Sequence, residues 1–474
     1  MELAPLRSVL RQHGQEHVLA FWERLSAEGR AQLQRQLAAL DLAGLAALVR
    51  GRAEQPDWHA LARRAQPPHA MRARERELGR RAAWGPTSAE ARARGAAALA
   101  AGQTGVLLVA GGQGSRLGFE QPKGLYPIGP LSRASLLQIH FEKTRAAALR
   151  YRCRVPLYLM TSPLTHEATV SFLEAHRHFG YPAEDVLVFC QGTMPAVDAA
   201  SGKLLLAAQD ALFLSPDGHG GTIAALQACG AIADMRQRGV QQLFYLQVDN
   251  PLAPIADEEF IGHHLLAESE LTSLAVAKQS PDDKLGNFVT IDGKCHVIEY
   301  SDFPTDVAER RDAAGELCFW AGSVAIHVFD VEFLARSLTL ADALPFHVAL
   351  KKAPFIDAEG KLVEPAQPNA LKFERFIFDL LPHARRPIVV EYREEDAFAP
   401  LKNASGAPKD TPEYVRAMML GQHRRWLAAA GAVVPPGVDV EISPLFARDA
   451  REAARRVAPG TRFDRPQYLS PAPA

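Results

Sequence analysis

An apolar run, Val106 to Val109, opens directly into Ala110-Gly111-Gly112-Gln113-Gly114-Ser115-Arg116-Leu117-Gly118, and Gln121-Pro122-Lys123-Gly124 follows at once. The run reads as a buried strand. Glycines at its end let the backbone come close to a ligand and turn N–H groups toward anionic oxygens. Arg116 and Lys123 add two full positive charges to that cradle. These residues suit the holding of a nucleotide triphosphate.

Two familiar phosphate loops do not fit. A P-loop needs Ser or Thr after its lysine, and Lys123 is followed by Gly124. The dinucleotide fingerprint needs a glycine three residues after its second one. Counted from Gly112 and Gly114, that place is taken by Leu117. The loop is therefore a phosphate cradle of a third kind.

Downstream of Gly105, short apolar runs alternate with helical patterns. The expected strands are Val106–Val109, Leu157–Met160, Val186–Phe189, Leu243–Val248 and Leu274–Ala277. The expected helices between them include Ser135–Leu149, His166–His178 and Thr222–Arg238. This alternation predicts an α/β fold with a mostly parallel, Rossmann-like sheet and helices on both faces. Ligands then bind at the carboxyl ends of the strands. Asn287–Ile291 and Val297–Tyr300, across Asp292-Gly293, predict a hairpin laid over that site.

Residues before about 100 are rich in Ala, Leu, Arg and Gln, with Leu33, Leu37 and Leu40 at helical spacing. Thr87-Ser88-Ala89-Glu90 reads as a capping box. Arg63 to Arg81 is a basic stretch expected to be a solvated helix face. From about Leu401 the pattern is helical again, then irregular and Pro-rich.

With 474 residues, 47% of them hydrophobic, the chain can bury a large core in two or three domains. A net charge of -1 gives no basic field for nucleic acid or an anionic membrane. The five cysteines form no C-x-x-C pair, which predicts reduced thiols in a cytoplasm. Met1-Glu2-Leu3-Ala4 does not open a signal peptide. No apolar run approaches the about 20 residues of a membrane helix. The expectation is a cytoplasmic monomer or weak dimer with neither a nucleic-acid nor a membrane partner.

Three further segments carry chemistry. Asp249-Asn250 ends the run Leu243–Val248, where a carboxylate is placed to hold Mg2+. Ser215-Pro216-Asp217-Gly218-His219-Gly220-Gly221-Thr222 is a second glycine loop, whose glycines suit approach to a base or sugar and whose His219 is a candidate donor. Lys372 and Lys402 lie in segments rich in aromatic and apolar residues. With neither a Ser/His/Asp set nor a paired-cysteine motif, the inventory suits phosphoryl or nucleotidyl transfer by positioning and charge neutralisation.

Together these segments resemble the UTP-dependent sugar-1-phosphate uridylyltransferases, and among them the UDP-N-acetylhexosamine pyrophosphorylase branch. The resemblance rests on the Ala110–Gly118 loop with Pro122-Lys123-Gly124, and on Val248-Asp249-Asn250 with Ala256-Asp257. It rests also on Val297-Ile298-Glu299-Tyr300-Ser301, on Lys372-Phe373-Glu374-Arg375-Phe376, and on Phe398-Ala399-Pro400-Leu401-Lys402-Asn403-Ala404. It implies three parts: a helical region over 1–100, a nucleotidyltransferase domain over 101–400 and a C-terminal region over 401–474.

The resemblance further implies that UTP is held by Ala110, Gly111, Gly112, Gly114, Lys123, Gln191, Gly218 and Asp249, with uracil near Gln191 and Gly218. Asp249 would bind Mg2+. Gly286 and Glu299 would contact the sugar ring, and Lys372 would bind phosphate. Arg116, Lys123 and Lys402 would act in catalysis. The implied products are a UDP-sugar and pyrophosphate, with N-acetylglucosamine 1-phosphate as the leading substrate.

Two positions of the sugar pocket depart from that branch. His219 and Ser323 stand where it usually carries asparagine, and Gly218-His219-Gly220 matches the UDP-glucose and broad UDP-sugar pyrophosphorylases instead. A plain hexose phosphate stays open as the substrate, and so does a non-catalytic nucleotide-sugar sensor.

Overall fold

The run that opens the glycine loop lies inside a sheet of ten strands, among the residues that the computed structural model describes (3–51, 56–340 and 344–471). In chain order the strands are β1 (Ala70–Met71), β2 (Thr104–Val109), β3 (Leu157–Thr161), β4 (Val186–Cys190), β5 (Gln242–Gln247), β6 (Leu271–Ala277), β7 (Gly286–Ile291), β8 (Lys294–Ile298), β9 (Ala321–Asp330) and β10 (Ile388–Tyr392). Their spatial order is β1-β10-β6-β9-β5-β2-β3-β4, and the β7–β8 hairpin joins through β9. All five expected strands are present. The run β5-β2-β3-β4 is parallel throughout.

Three members of the sheet were not expected. β9 runs antiparallel between β5 and β6, which reverses the pairing in the middle of the sheet. Gly322, Ser323 and His327 interrupt its apolar pattern, and Ala325 takes a left-handed φ of 54°. β10 and the short β1 extend the edge beyond β6 in parallel. Val106, Leu107 and Leu108 are buried on both faces, which explains why β2 reads as a continuous apolar run.

The helices fit the expectations with two corrections. Leu136–Tyr151 starts where Ser135 Oγ accepts the N–H of Gln138 at 3.1 Å. The helix expected to reach His178 stops at Ala175, because Arg177, His178 and Phe179 all adopt left-handed φ. The expected Thr222–Arg238 helix divides at Gly230 (φ 78°) into Thr222–Ala228 and Ala231–Gln237. The Asp292-Gly293 turn closes β7 on β8 with φ of 49° and 79°, as a two-residue hairpin requires.

The basic stretch Arg63–Arg81 is not a solvated helix. It contains β1 and the short helix Ala73–Glu77; Arg72 and Arg76 turn inward, whereas Arg63, Arg64, Arg74, Arg80 and Arg81 are exposed. Arg72 Nε meets Glu391 at 2.6 Å and lies 3.9 Å over the Trp320 ring. Arg76 Nε meets Glu259 at 2.7 Å and lies 3.9 Å over Tyr392. Buried carboxylates need such partners, and the stretch supplies them.

The chain forms two compact units. The larger comprises Trp58–Cys190, Ile223–Ala343 and Leu380–Ala474, and so holds the ten-stranded sheet together with the helix Pro412–Ala429 and the parallel pair Val440–Ile442 and Gln467–Leu469. The smaller comprises Met1–Asp57, Gln191–Thr222 and Leu344–Asp379. In it, the helices Leu3–Gln12, Ala27–Ala38 and Leu42–Gly51 pack with a small sheet of His347–Lys351, Ala370–Glu374 and Val197–Asp198, around Leu10, Leu33, Leu371 and Phe373.

The capping box at Thr87 is formed, with Thr87 N–H donating to Glu90 at 2.7 Å, and it opens the helix Ser88–Ala100. That helix crosses Glu258–Leu266 with no room for a side chain at the contact. A Cβ on Gly262 would stand 1.7 Å from the Ala91 carbonyl oxygen. Gly262→Ala should therefore destabilise the protein by at least about 2 kcal/mol. Gly421→Ala, whose Cβ would meet only Arg425 at 3.7 Å, should be neutral or stabilising. Calorimetric Tm values of the two variants check this, and an unchanged Tm for Gly262→Ala would contradict the contact.

Candidate active site

The parallel register between β2 and β5 sets Val109 opposite Gln247, so both strands release their chains at one place. From β2 comes the glycine loop and from β5 comes Asp249. Ala110 N–H is committed to Met160 O (2.7 Å), and Gly111 O accepts from Ser162 Oγ (2.8 Å). The loop closes on itself through Gly114 N–H to Gln121 O and Lys123 N–H to Gly112 O, both 3.0 Å. Gly114 is fixed by this folding, since its Cβ would stand 2.6 Å from Phe119 O. Gly112 is different: it is exposed and nothing lies within 4 Å of its Cβ direction. Its missing side chain leaves room for something that is not part of the chain.

Lys123 reaches over this loop to Asp249, Nζ to Oδ2 3.6 Å, with the two side chains only 19% and 14% exposed. Arg116 stands exposed on the single turn Ser115–Leu117. Lys402 is brought in by a residue that sequence reasoning did not assign to the site. Asn250 is buried, donates from Nδ2 to Ala397 O (2.8 Å) and accepts from Ala399 N–H (3.0 Å). Leu401 N–H then donates to Asp249 O at 2.8 Å. The segment carrying Lys402 is thereby stitched to the end of β5, and the acid and the lysine sit on adjoining backbone.

A second group in the same unit surrounds the end of β9. Gly286 pairs with Ser323 across the antiparallel ladder. Glu299 Oε1 lies 3.4 Å from where a Gly286 Cβ would be. Lys278 Nζ donates to Asn287 Oδ1 at 2.9 Å and Pro281 O at 3.1 Å, and burial holds its pKa below the usual lysine value.

The smaller unit holds the remaining candidates. Gln191 Nε2 donates to Asp217 Oδ1 at 3.4 Å, and burial raises the Asp217 pKa. A Cβ on Gly218 (φ 82°) would stand 2.4 Å from Arg375 O, and one on Gly221 would stand 2.2 Å from Asp217 Oδ1. Close approach in this loop thus serves its own packing against Glu374–Phe376. His219 Nδ1 accepts the N–H of Ile377 at 3.2 Å, and the ring lies against Phe376 and Phe378. Burial lowers its pKa to about 4, with the neighbouring His347 adding to the shift. The ring is therefore neutral, and its proton is on Nε2. Lys372 Nζ stands 4.8 Å over the Phe213 ring, and burial again lowers its pKa.

The donors present are carboxylate oxygens, which suit a hard divalent cation. No group of three or more His, Cys, Asp or Glu among the described residues gathers to hold a metal unaided. A cation bound beside Asp249 would take most of its ligands from phosphates and water, as Mg2+ ordinarily does. No helix among the described residues is long and apolar enough to cross a membrane.

A site of this composition handles phosphates by charge and position, which is the chemistry of a nucleotidyltransferase on an α/β sheet. Residues 74–437 match the UTP–glucose-1-phosphate uridylyltransferase family, and the chain belongs to that family of uridylyltransferase enzymes. It is 36% identical over 495 residues to human UDP-N-acetylhexosamine pyrophosphorylase-like protein 1, covering 98% of this chain and 96% of that one. It is 38% identical over 358 residues to UDP-N-acetylglucosamine pyrophosphorylase of Saccharomyces cerevisiae, covering 74% and 75%. The crystal structure of the Trypanosoma brucei uridine diphosphate N-acetylglucosamine pyrophosphorylase in complex with inhibitor superposes with a TM-score of 0.81 at 28% identity, covering 95% and 94%.

Buried His140, His264 and His423 and half-buried His219 give a pH signature. Burial lowers His219 to about 4 and His140, His264 and His423 each to about 3. The unfolded chain, with histidine near 6.5, takes up protons first as the pH falls. Their contribution to stability is present above pH ~6.5 and is lost on descending toward pH ~4. Urea unfolding should show that loss, and His219→Gln should flatten part of it; an identical slope in the variant would contradict the neutral ring.

Proposed function

We propose that the protein makes UDP-N-acetylglucosamine and pyrophosphate from UTP and N-acetylglucosamine 1-phosphate. The observation that carries this reading is the joining of Lys123, Asp249 and the Lys402 segment around the open face of Gly112. A phosphate oxygen of the sugar phosphate attacks the α-phosphorus of UTP in line. As that P–O bond forms, the bond to pyrophosphate breaks. Lys123 and Arg116 offset charge on the departing pyrophosphate, and Lys402 offsets charge on the α-phosphate. Asp249 would hold Mg2+, which supplies further positive charge against the triphosphate when bound. Gln191 and Gly218 read the uracil, Lys372 meets a phosphate, and Gly286, Glu299, His219 and Ser323 contact the sugar.

The tautomer of His219 bears on the choice of sugar. Its Nε2–H is a donor, as an asparagine amide is, and a donor suits the acetamido carbonyl. The Gly218-His219-Gly220 pattern favours the alternative, a plain hexose 1-phosphate. Pyrophosphate release with UTP and Mg2+ decides between them when N-acetylglucosamine, N-acetylgalactosamine, glucose and galactose 1-phosphates are compared. The N-acetylglucosamine phosphate should be preferred, and preference for glucose or galactose would establish the alternative. UTP binding without turnover of any sugar phosphate would mark a sensor.

Lys402→Ala should lower kcat by about 10²–10³-fold while leaving the fold intact. Steady-state kinetics with the preferred sugar checks this, and near-normal turnover would remove Lys402 from the reaction.

A further inference from the structure

The segment after Lys402 contains a residue that meets two energetic penalties at once. Asp410 has a left-handed φ of 63°, a conformation that favours glycine and that asparagine and aspartate tolerate. Its carbonyl accepts both Lys402 N–H (2.9 Å) and Asn403 N–H (3.0 Å), and Asn403 Nδ2 donates to Lys409 O (2.9 Å). These bonds close residues 403–409 into a loop with Lys402 at its neck. Thr411 then caps the helix Pro412–Ala429. The backbone task would be served by glycine alone.

The side chain carries the second penalty: Asp410 Oδ1 is buried without a hydrogen-bond partner. An unmet acceptor of this kind costs about 1–3 kcal/mol. Strain and unmet polar groups gather where function requires them. The charges that act on this carboxylate are those of Lys402, Lys409, Asp249 and Glu394. Lys409 is already paired with Glu394 at 2.6 Å, and Asp249 with Lys123 at 3.6 Å. Among the described residues Lys402 is in no ion pair; its Nζ stands 5.7 Å from the centre of the Phe398 ring. Asp249 and Asp410 therefore flank the Leu401–Lys402 peptide from either side, each through a backbone hydrogen bond. The uncommitted carboxylate oxygen and the uncommitted ammonium belong to the two ends of one such bond.

We propose that Asp410 is a positioning residue, whose carboxylate orients the Lys402 ammonium toward the Asp249 end of the site. This rests on the uridylyltransferase reading, in which Lys402 meets the α-phosphate. An ammonium on a flexible four-carbon stem gains most from such guidance, because misplacement by an ångström weakens stabilisation of the transferring group steeply. The carboxylate acts through Lys402 and does not itself touch the nucleotide.

The test uses two substitutions that both accept a left-handed φ, Asp410→Asn and Asp410→Gly, and a double-mutant cycle with Lys402→Ala. Both single variants should keep the wild-type far-UV spectrum and bind UTP with Mg2+ within about threefold by calorimetry. Both should lose about 10- to 100-fold in kcat with little change in KM for UTP. In the Lys402→Ala background, Asp410→Asn should cost nothing further, since its effect runs through the missing ammonium. Turnover near wild type in either variant would overturn the proposal, as would an undiminished loss in the Lys402→Ala background. An inactive wild-type enzyme would instead sink the uridylyltransferase reading, and this proposal with it.

Discussion

The six-residue parallel register between β2 and β5 is the constraint on which the candidate site depends. It sends a glycine loop and a carboxylate out of the sheet side by side, with Val248 N–H still bonded to Val109 O at 2.9 Å. Neither segment would be informative alone. A glycine loop at a strand end is a common turn, and an aspartate there is a common cap. Held in register, they set a cation, Lys123, against an anion, Asp249, at the rim of a backbone left bare by Gly112. The charges are nearly sheathed by protein, so they act at a lower effective dielectric than water provides.

Asn250 extends this arrangement across 150 residues of sequence. One buried amide uses both donor and acceptor to capture the backbone at Ala397 and Ala399, and the chain then adds Leu401 N–H to Asp249 O. Amide side chains suit this purpose because they offer both polarities from one rigid plane. The loop with Lys402 is thus tied to the backbone just beyond the carboxyl end of β5. Lys402, itself exposed, is thereby held on backbone next to Asp249.

Much of this was legible in the residues themselves. The parallel core announced itself because strands covered on both faces must be apolar throughout, as in Val106–Leu108 and Leu243–Leu246. β9 stayed hidden because it carries Gly322, Ser323 and His327 through the middle of the sheet, and a strand pattern cannot be read through such residues. The basic stretch at Arg63–Arg81 misled for a related reason. Most of its arginines are exposed, but Arg72 and Arg76 are drawn inward by the buried Glu391 and Glu259, which lie far away in sequence. Glycines carried mixed information. Gly112 marks open space, whereas Gly114 and Gly221 answer contacts within their own loops and Gly218 answers the backbone of Arg375. Sequence presents the four alike, because the difference lies in what a Cβ would meet. Asn250 gave only the signal of following Asp249, and its partners at 397 and 399 are set by tertiary folding.

His219 shows how a local bond settles a chemical identity. The Ile377 N–H takes Nδ1, the rings of Phe376 and Phe378 lie against the imidazole, and it stays neutral with its hydrogen on Nε2. A histidine so held is a hydrogen-bond donor of fixed direction rather than a cation. That makes it closer in function to an amide than its ordinary pKa suggests. Recognition by a buried donor discriminates well between ligands that offer an acceptor and those that do not, because the unmet donor carries the penalty. Replacing asparagine by histidine at such a place therefore changes the reach and rigidity of the donor while keeping its polarity. Under the proposed function, with His219 at the sugar, discrimination would turn on where the acceptor oxygen sits and less on whether an amide is present.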